Sequence, residues 1–231
     1  MTKAVRPTRA RAVRPSESRE AAPRLTKGER TRAVIKGAIA DLIGERQSLD
    51  FTLDDICAKT GLTVGAFYFH FANKDAALEE MCMDHMREFY GALEAIAADD
   101  IEDLSRAIIR SSVEACVKNP AMFRASYTLI PRSLPIYETW LGARGAVVTR
   151  LIGLLAQRRR RPAKAAPSDH LDVHLLMAGL EGFLENLYFG SDATMKPIPQ
   201  RPSRLEEDLW AHWRSVLLRP VPVERAGKQS N

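Results

Sequence analysis

An all-α fold follows from two features of the 231-residue chain: apolar residues return every three or four positions through most of its length, and no segment alternates as a half-buried strand would. A third feature, a set of Thr, Asn and Ser residues just ahead of apolar runs, cuts that length into separate helices. Hydrophobic residues make up 45% and charged residues 27% of the chain, the balance of a protein able to bury a core. The longest apolar stretches, such as Gly145 to Ala156, are broken by Arg150 and too short to span a bilayer. The start, MTKAVRPTRARAVRP, has charge but no apolar segment of the secretory kind, so a cytoplasmic protein with no membrane partner is expected. Cys57, Cys82 and Cys116 form no CxxC pair, which points to buried thiols rather than a disulfide framework or a zinc knuckle.

Residues 1–25 carry Pro7, Pro15 and Pro23 and no apolar period, the pattern of a disordered arm. The arm holds seven Lys/Arg against Glu17 and Glu20, which accounts for the whole net charge of +5. An anionic partner near the N-terminus is therefore expected. From Thr26 the pattern becomes helical, with Val34, Ile35, Ala38, Ile39, Leu42 and Ile43 on one face. Thr52 caps a second helix, with Asp55 completing a short capping box, and Gly61 ends it where a left-handed residue costs little. Thr63 caps a third, Val64 to about His70. Two short helices joined by a tight glycine turn, behind a longer one, make a helix-turn-helix over 26–75.

Asn73 caps the fourth helix, which runs toward Ala98. Further helices are expected at Ile101 to Lys118, Ala121 to Ile130, Tyr137 to Gln157, Ser168 to Phe189 and Ser203 to Leu218, the last opened by a Ser203/Glu206 capping box. Residues 76–218 thus form a larger helical domain, and 219–231 a disordered tail.

The run Gly61 to Phe71, GLTVGAFYFHF, places small residues where a recognition helix meets DNA and aromatics where it meets its own domain. Val64, Gly65 and Ala66 let the helix start lie against base edges. Phe67 and Phe71, four apart, hold the helix to the first two. Tyr68 and His70 project from the flanks, where a phenol or imidazole can donate to phosphates, and Lys74 adds a charge beside the fourth helix's N–H groups. Residues 26–75 contain seven bases and seven acids, so the module is neutral, and Thr63 is the main donor toward base edges. Affinity must then draw on the arm, unless the arm serves only solubility.

The run from Thr52 through Gly61, Gly65, Tyr68, His70 and Lys74 to Asp75 resembles the DNA-binding signature of the TetR family of bacterial transcriptional regulators, over about Thr26 to Met81. Cys57 and Thr60 stand where that family usually has alanine. The resemblance implies a homodimer that binds a double-stranded, pseudo-palindromic operator, a repressor released by a small-molecule effector, with Thr52, Thr63, Val64, Gly65, Ala66, Tyr68, His70 and Lys74 at the DNA. It also implies a dimer bundle from the last two helices, with Ala178, Gly179 and Gly182 permitting close approach and Leu205, Leu209, Trp213 and Leu217 as a stripe. Intrachain core is the other reading of that stripe.

Met81, Met86, Phe89, Met122, Phe123, Tyr127 and Trp140 are candidates for an apolar effector pocket or for ordinary core, and the effector expected of such a pocket is hydrophobic or amphipathic. A DNA-binding protein with no effector, whose helical domain only dimerises, is the competing class. No catalytic motif is present, so neither an enzyme nor a cofactor is expected. His170 with His174, and Cys82 with His85, have helical spacing but no third ligand, so no metal is expected. Arg158 to Arg161 reads as a solvated loop or a second nucleic-acid patch, and Glu181 with Glu185 as solvated or salt-bridged.

Overall fold

The computed structural model describes residues 25–160 and 164–219. Within them lie α1 (Lys27–Arg46), α2 (Leu53–Thr60), α3 (Val64–His70), α4 (Lys74–Glu94), α5 (Ile101–Lys118), α6 (Pro120–Leu129), α7 (Leu134–Arg158), α8 (Pro167–Phe189) and α9 (Pro202–Leu217), with a short 3-10 turn at Ala193–Met195. No strand occurs among the described residues, and none of their helices is long and apolar enough to cross a membrane. The arm, apart from Leu25, and the tail beyond Arg219 lie outside the described residues.

Local chemistry sets the first four helix starts. Thr26 and Glu29 form a full capping box on α1. On α2 the Asp55 N–H donates to Thr52 Oγ1 at 3.2 Å while Asp55 Oδ2 accepts from the Thr52 N–H at 2.7 Å. Gly61 adopts φ 71° and its N–H returns to Cys57. Thr63 Oγ1 and Asn73 Oδ1 each accept the third N–H of their helices.

Later starts differ from expectation, and proline is the reason. Pro120, Pro135, Pro167 and Pro202 all sit in first turns, where a missing N–H costs nothing and a fixed φ suits the helix. The helices therefore begin a residue or more before the expected points. Ser203 lies inside α9 and makes no cap, and Glu206 faces Arg110 at 3.4 Å instead. At its far end α4 stops at Glu94, short of Ala98.

Two cores result. Ile35, Ile39, Ile43, Ile56, Phe67 and Phe71 pack the N-terminal module together with Leu78 and Met81 of α4. Val34, expected inward, is exposed. The second core joins Tyr90 and Leu93 of α4 to α5, α7, α8 and α9. Here Leu205, Trp213 and Leu217 are buried within the chain, so that stripe is intrachain core, and Trp210 beside it lies under Arg106 at 4.2 Å. Arg159, expected in a loop, has a side chain only 5% exposed that pairs with Asp169 at 2.7 Å and Asp172 at 2.8 Å. It binds the end of α7 to the start of α8 because two buried carboxylates there require a cation. Arg158 meets Glu102 at 3.0 Å, and Arg161 lies outside the described residues.

Candidate nucleic-acid interface and interior cavity

The module spends its cations internally. Arg32 donates to the His70 carbonyl and pairs with Glu80, Lys36 reaches Asp84 at 2.6 Å, Arg46 reaches Asp55 at 2.7 Å and Lys59 reaches Glu45 at 2.6 Å. The Arg46 guanidinium and the Thr52 cap hold the Asp55 carboxyl down at about 2. Arg32 also lies 4.1 Å over the Phe71 ring, so the end of α3 is fixed to α1 and α4 together. Among the described residues, Lys27 and Arg30 in the first turn of α1 meet no carboxylate within ion-pair distance, a feature that residue counting does not single out.

The outward side of α3 carries the opposite character. Phe67 and Phe71 are buried, 5.8 Å apart, while Tyr68 is 54% and Phe69 85% exposed. Thr63, Val64 and Gly65 are exposed as well, and a Cβ built on Gly65 would meet nothing described within 4 Å. Nothing within the described chain therefore requires glycine at that position. His70 is half-buried with its ring edge-on to Phe69 at 5.2 Å. Sequence reasoning misses Phe69 because it looks like one more core aromatic. Its position midway between Phe67 and Phe71, off their shared face, is the signal that could have found it.

Two of the expected DNA-facing residues are engaged elsewhere. Lys74 Nζ donates to the Phe51 carbonyl at 2.9 Å and lies 4.8 Å over the Phe51 ring. Lys74 thus ties the start of α4 to the segment ahead of α2. The Thr52 hydroxyl donates to Asp55 at 2.8 Å, whereas the Thr63 hydroxyl accepts the Ala66 N–H and keeps its own proton.

In the second core, a cavity of about 20 Å³ lies between α4, α5, α6 and α8, bounded by Phe89, Cys116, Phe123, Tyr127, Met177 and Glu181. That is room for a single water. An open cleft of about 430 Å³ lies beside it, with Lys36, Asp84, His85, Glu88 and Met122 on its walls and Phe89 common to both. Of the expected pocket residues, Phe89, Phe123 and Tyr127 thus line the cavity, and Met81, Met122 and Phe89 the cleft. Trp140 lines neither, donating from Nε1 to the Tyr90 hydroxyl at 3.1 Å. Met86 packs in the N-terminal core, one turn too early on α4 to reach the cavity.

A polar chain that sequence spacing does not show borders the cavity. Tyr90 donates to Glu181 Oε1 at 2.9 Å, and Arg144 Nε reaches the same carboxylate at 2.8 and 3.0 Å. Its members come from α4, α7 and α8, so no local pattern in the sequence joins them. Burial raises the carboxyl of Glu181 against the pull of Arg144, and raises the phenol of Tyr90. Burial also pushes the Cys82 thiol up to about 12 and His85 down to about 4. His170 and His174 are exposed, and among the described residues no group of three His, Cys, Asp or Glu is placed to hold a metal ion.

The family described as bacterial regulatory proteins, tetR family, matches residues 36–81, the module just described. The N-terminal module is a TetR-family DNA-binding module. The regulator EthR of Mycobacterium tuberculosis is 25% identical to it over 174 residues, covering 74% of this chain and 79% of that one. The fold matches a transcriptional regulator from Pseudomonas aeruginosa PAO1 with a TM-score of 0.61 at 18% identity, over 83% of this chain and 92% of the other. It also matches the fatty acid degradation regulator FadR from Bacillus halodurans, with a TM-score of 0.60 at 15% identity over 86% and 100%. The matched module ends within α4, before the cavity begins.

Proposed function

We propose that this chain is a dimeric TetR-family repressor that lays α3 in the major groove of each half of a pseudo-palindromic operator and leaves it when a small, predominantly apolar effector enters the second core. The observation that carries the DNA reading is the outward side of α3, where Thr63, Val64, Gly65, Ala66, Tyr68 and Phe69 have no core to serve. Thr63 offers a hydroxyl proton, the small residues allow close approach, and the rings meet sugar, phosphate or thymine methyls. His70 flanks them. Thr52 and Lys74 act indirectly in this reading, by fixing α2 and α4.

The dimer surface proposed is α8 rather than the α9 stripe. Leu171 and the 63% exposed Leu175 share one outward side with Ala178, Gly179 and Gly182, and an open groove of about 360 Å³ runs from there toward Leu209 and Trp213. Selection from a randomised DNA pool tests the core of this proposal: an enriched inverted repeat is expected, and a pool that stays random sinks it. The arm neutralises phosphates, so truncation to Thr26 should flatten the salt dependence by about 0.9 in log–log slope for each phosphate that the arm had covered.

A DNA-binding protein without an effector is the second reading, favoured by the small volume of the enclosed cavity. A thermal-shift screen separates the two, because a ligand that binds only the folded state raises the midpoint with concentration.

A further inference from the structure

We propose that the enclosed cavity and the open cleft are one effector site, shut by the Phe89 ring, and that this site takes an uncharged or cationic amphipathic molecule and rejects a carboxylate. The proposal rests on the effector reading above and adds the chemical class to it.

Phe89 is the residue that lines both spaces. Its ring stands edge-on to Phe123 at 5.2 Å and to Tyr90 at 5.1 Å, and it is half-buried. It packs against the second core, with His85 stacked on it at 6.3 Å, and makes no hydrogen bond, so a rotamer change of the kind that side chains make readily would join the one-water cavity to the cleft. An apolar body entering from the cleft would then lie against Phe123, Tyr127 and Met177.

Charge decides what the other end of that body can be. Among the described residues lining the two spaces the one cation is Lys36, already paired with Asp84 and Glu80. The acids are Asp84 and Glu88 at the mouth and Glu181 at the inner end. His85 on the same wall is held neutral near pH 7 by burial, so it supplies no positive charge. At the inner end Glu181 Oε1 already accepts from Tyr90 and Arg144, while Oε2 accepts only the longer Arg144 bond at 3.0 Å. A carboxylate oxygen has two lone-pair sites, so Oε2 keeps one for an incoming O–H or N–H. Arg144 is neutralised by Glu181 and does not line either space. A ligand hydroxyl, amide or ammonium would be received there, whereas a ligand carboxylate has no proton to give Oε2, would pass the unpaired Glu88 at the mouth, and would find no free cation among the described lining residues.

Octanol, octylamine and octanoate share one apolar chain and differ in headgroup, so they serve as probes of the full-length protein by calorimetry and thermal shift. Octanol and octylamine should bind saturably and octanoate at least tenfold more weakly, with Phe89→Ala speeding association of the first two. Glu181→Gln should bring octanoate to within about threefold of octanol. If that variant does not fold, the comparison on the unaltered protein decides by itself. Octanoate binding as tightly as octanol to the unaltered protein would overturn the charge selection while leaving the site in place. If none of the three binds, or if filling the cavity at its lining residue Ser112 by Ser112→Leu leaves binding of octanol unchanged, the cavity is not the effector site and the reading beneath this proposal fails with it.

Discussion

The two cores of this molecule handle charge in opposite ways. In the N-terminal module the ion pairs lie around the rim, between neighbouring helices: Arg46 with Asp55, Lys59 with Glu45, and Lys36 with Asp84. The interior there is aliphatic and aromatic. In the second core the pairs are inside, Arg144 with Glu181 and Arg159 with Asp169 and Asp172. Rim pairs contribute little stability each but set which helix faces which. Buried pairs cost desolvation and are damaging when one member is removed. The module is therefore a rigid reading head whose stability rests on packing. The second core keeps polar groups where a ligand could exploit them.

Substitutions that act on one core and not the other test that contrast. Phe67→Ala removes the fully buried centre of the module and should cost about 4 kcal/mol. Trp210 and Trp213 lie in the second core and Trp140 packs against both, so circular dichroism should lose signal before most of the tryptophan fluorescence does. Coincident curves would show that the two cores melt as one.

Arg159→Met should cost about 3 kcal/mol, since it strips a cation from buried carboxylates, and tryptophan fluorescence should follow the loss directly. An unchanged midpoint would mean that the buried pairs are no more valuable than those on the rim.

His85 gives a pH test. Its folded-state value near 4 lies below the ordinary 6.5, so the unfolded chain takes up the proton first as pH falls. Its contribution is complete above pH 6.5 and is lost progressively toward pH 4. Comparing His85→Gln with the unaltered protein across that window should show about 2 kcal/mol of acid sensitivity that the variant lacks. Parallel pH profiles would refute the assignment.

The smallest effect on stability is expected on the outward side of α3. Phe69→Ala should leave the midpoint within about 0.5 kcal/mol while weakening operator binding, because the ring is exposed. Lys74→Ala sharpens the same distinction. Held by Phe51, Lys74 should contribute about 1 kcal/mol to folding and nothing to the salt slope of DNA binding. A drop of about 0.9 in that slope would return it to the phosphates.

What is legible in the sequence follows the range of the interaction. Thr52, Gly61, Thr63 and Asn73 act on partners within a few residues, so caps and turn are readable, and with them the module and its family. Phe67 and Phe71 are readable as an i, i+4 pair. Lys74 is not: its partner Phe51 is twenty-three positions away and is a carbonyl, which carries no side-chain signature. The Tyr90, Arg144 and Glu181 chain joins three helices across the second core, so spacing holds no trace of it. The later helices start ahead of their expected points because proline reads as a boundary in a sequence, whereas first turns accept it.

The helix α4 has 21 residues with no proline inside it, about 30 Å of continuous rod. Leu78, Met81 and Met86 serve one core and Tyr90 and Leu93 the other. That shared rod sets a rule for building chimeric biosensors from this chain. A foreign sensor half grafted after α4 would inherit a rod facing the wrong partners, while a junction between Met86 and Tyr90 hands each half its own face. Adding or removing one residue there would turn everything beyond it by about 100° about the helix axis, so graft length matters as much as graft sequence.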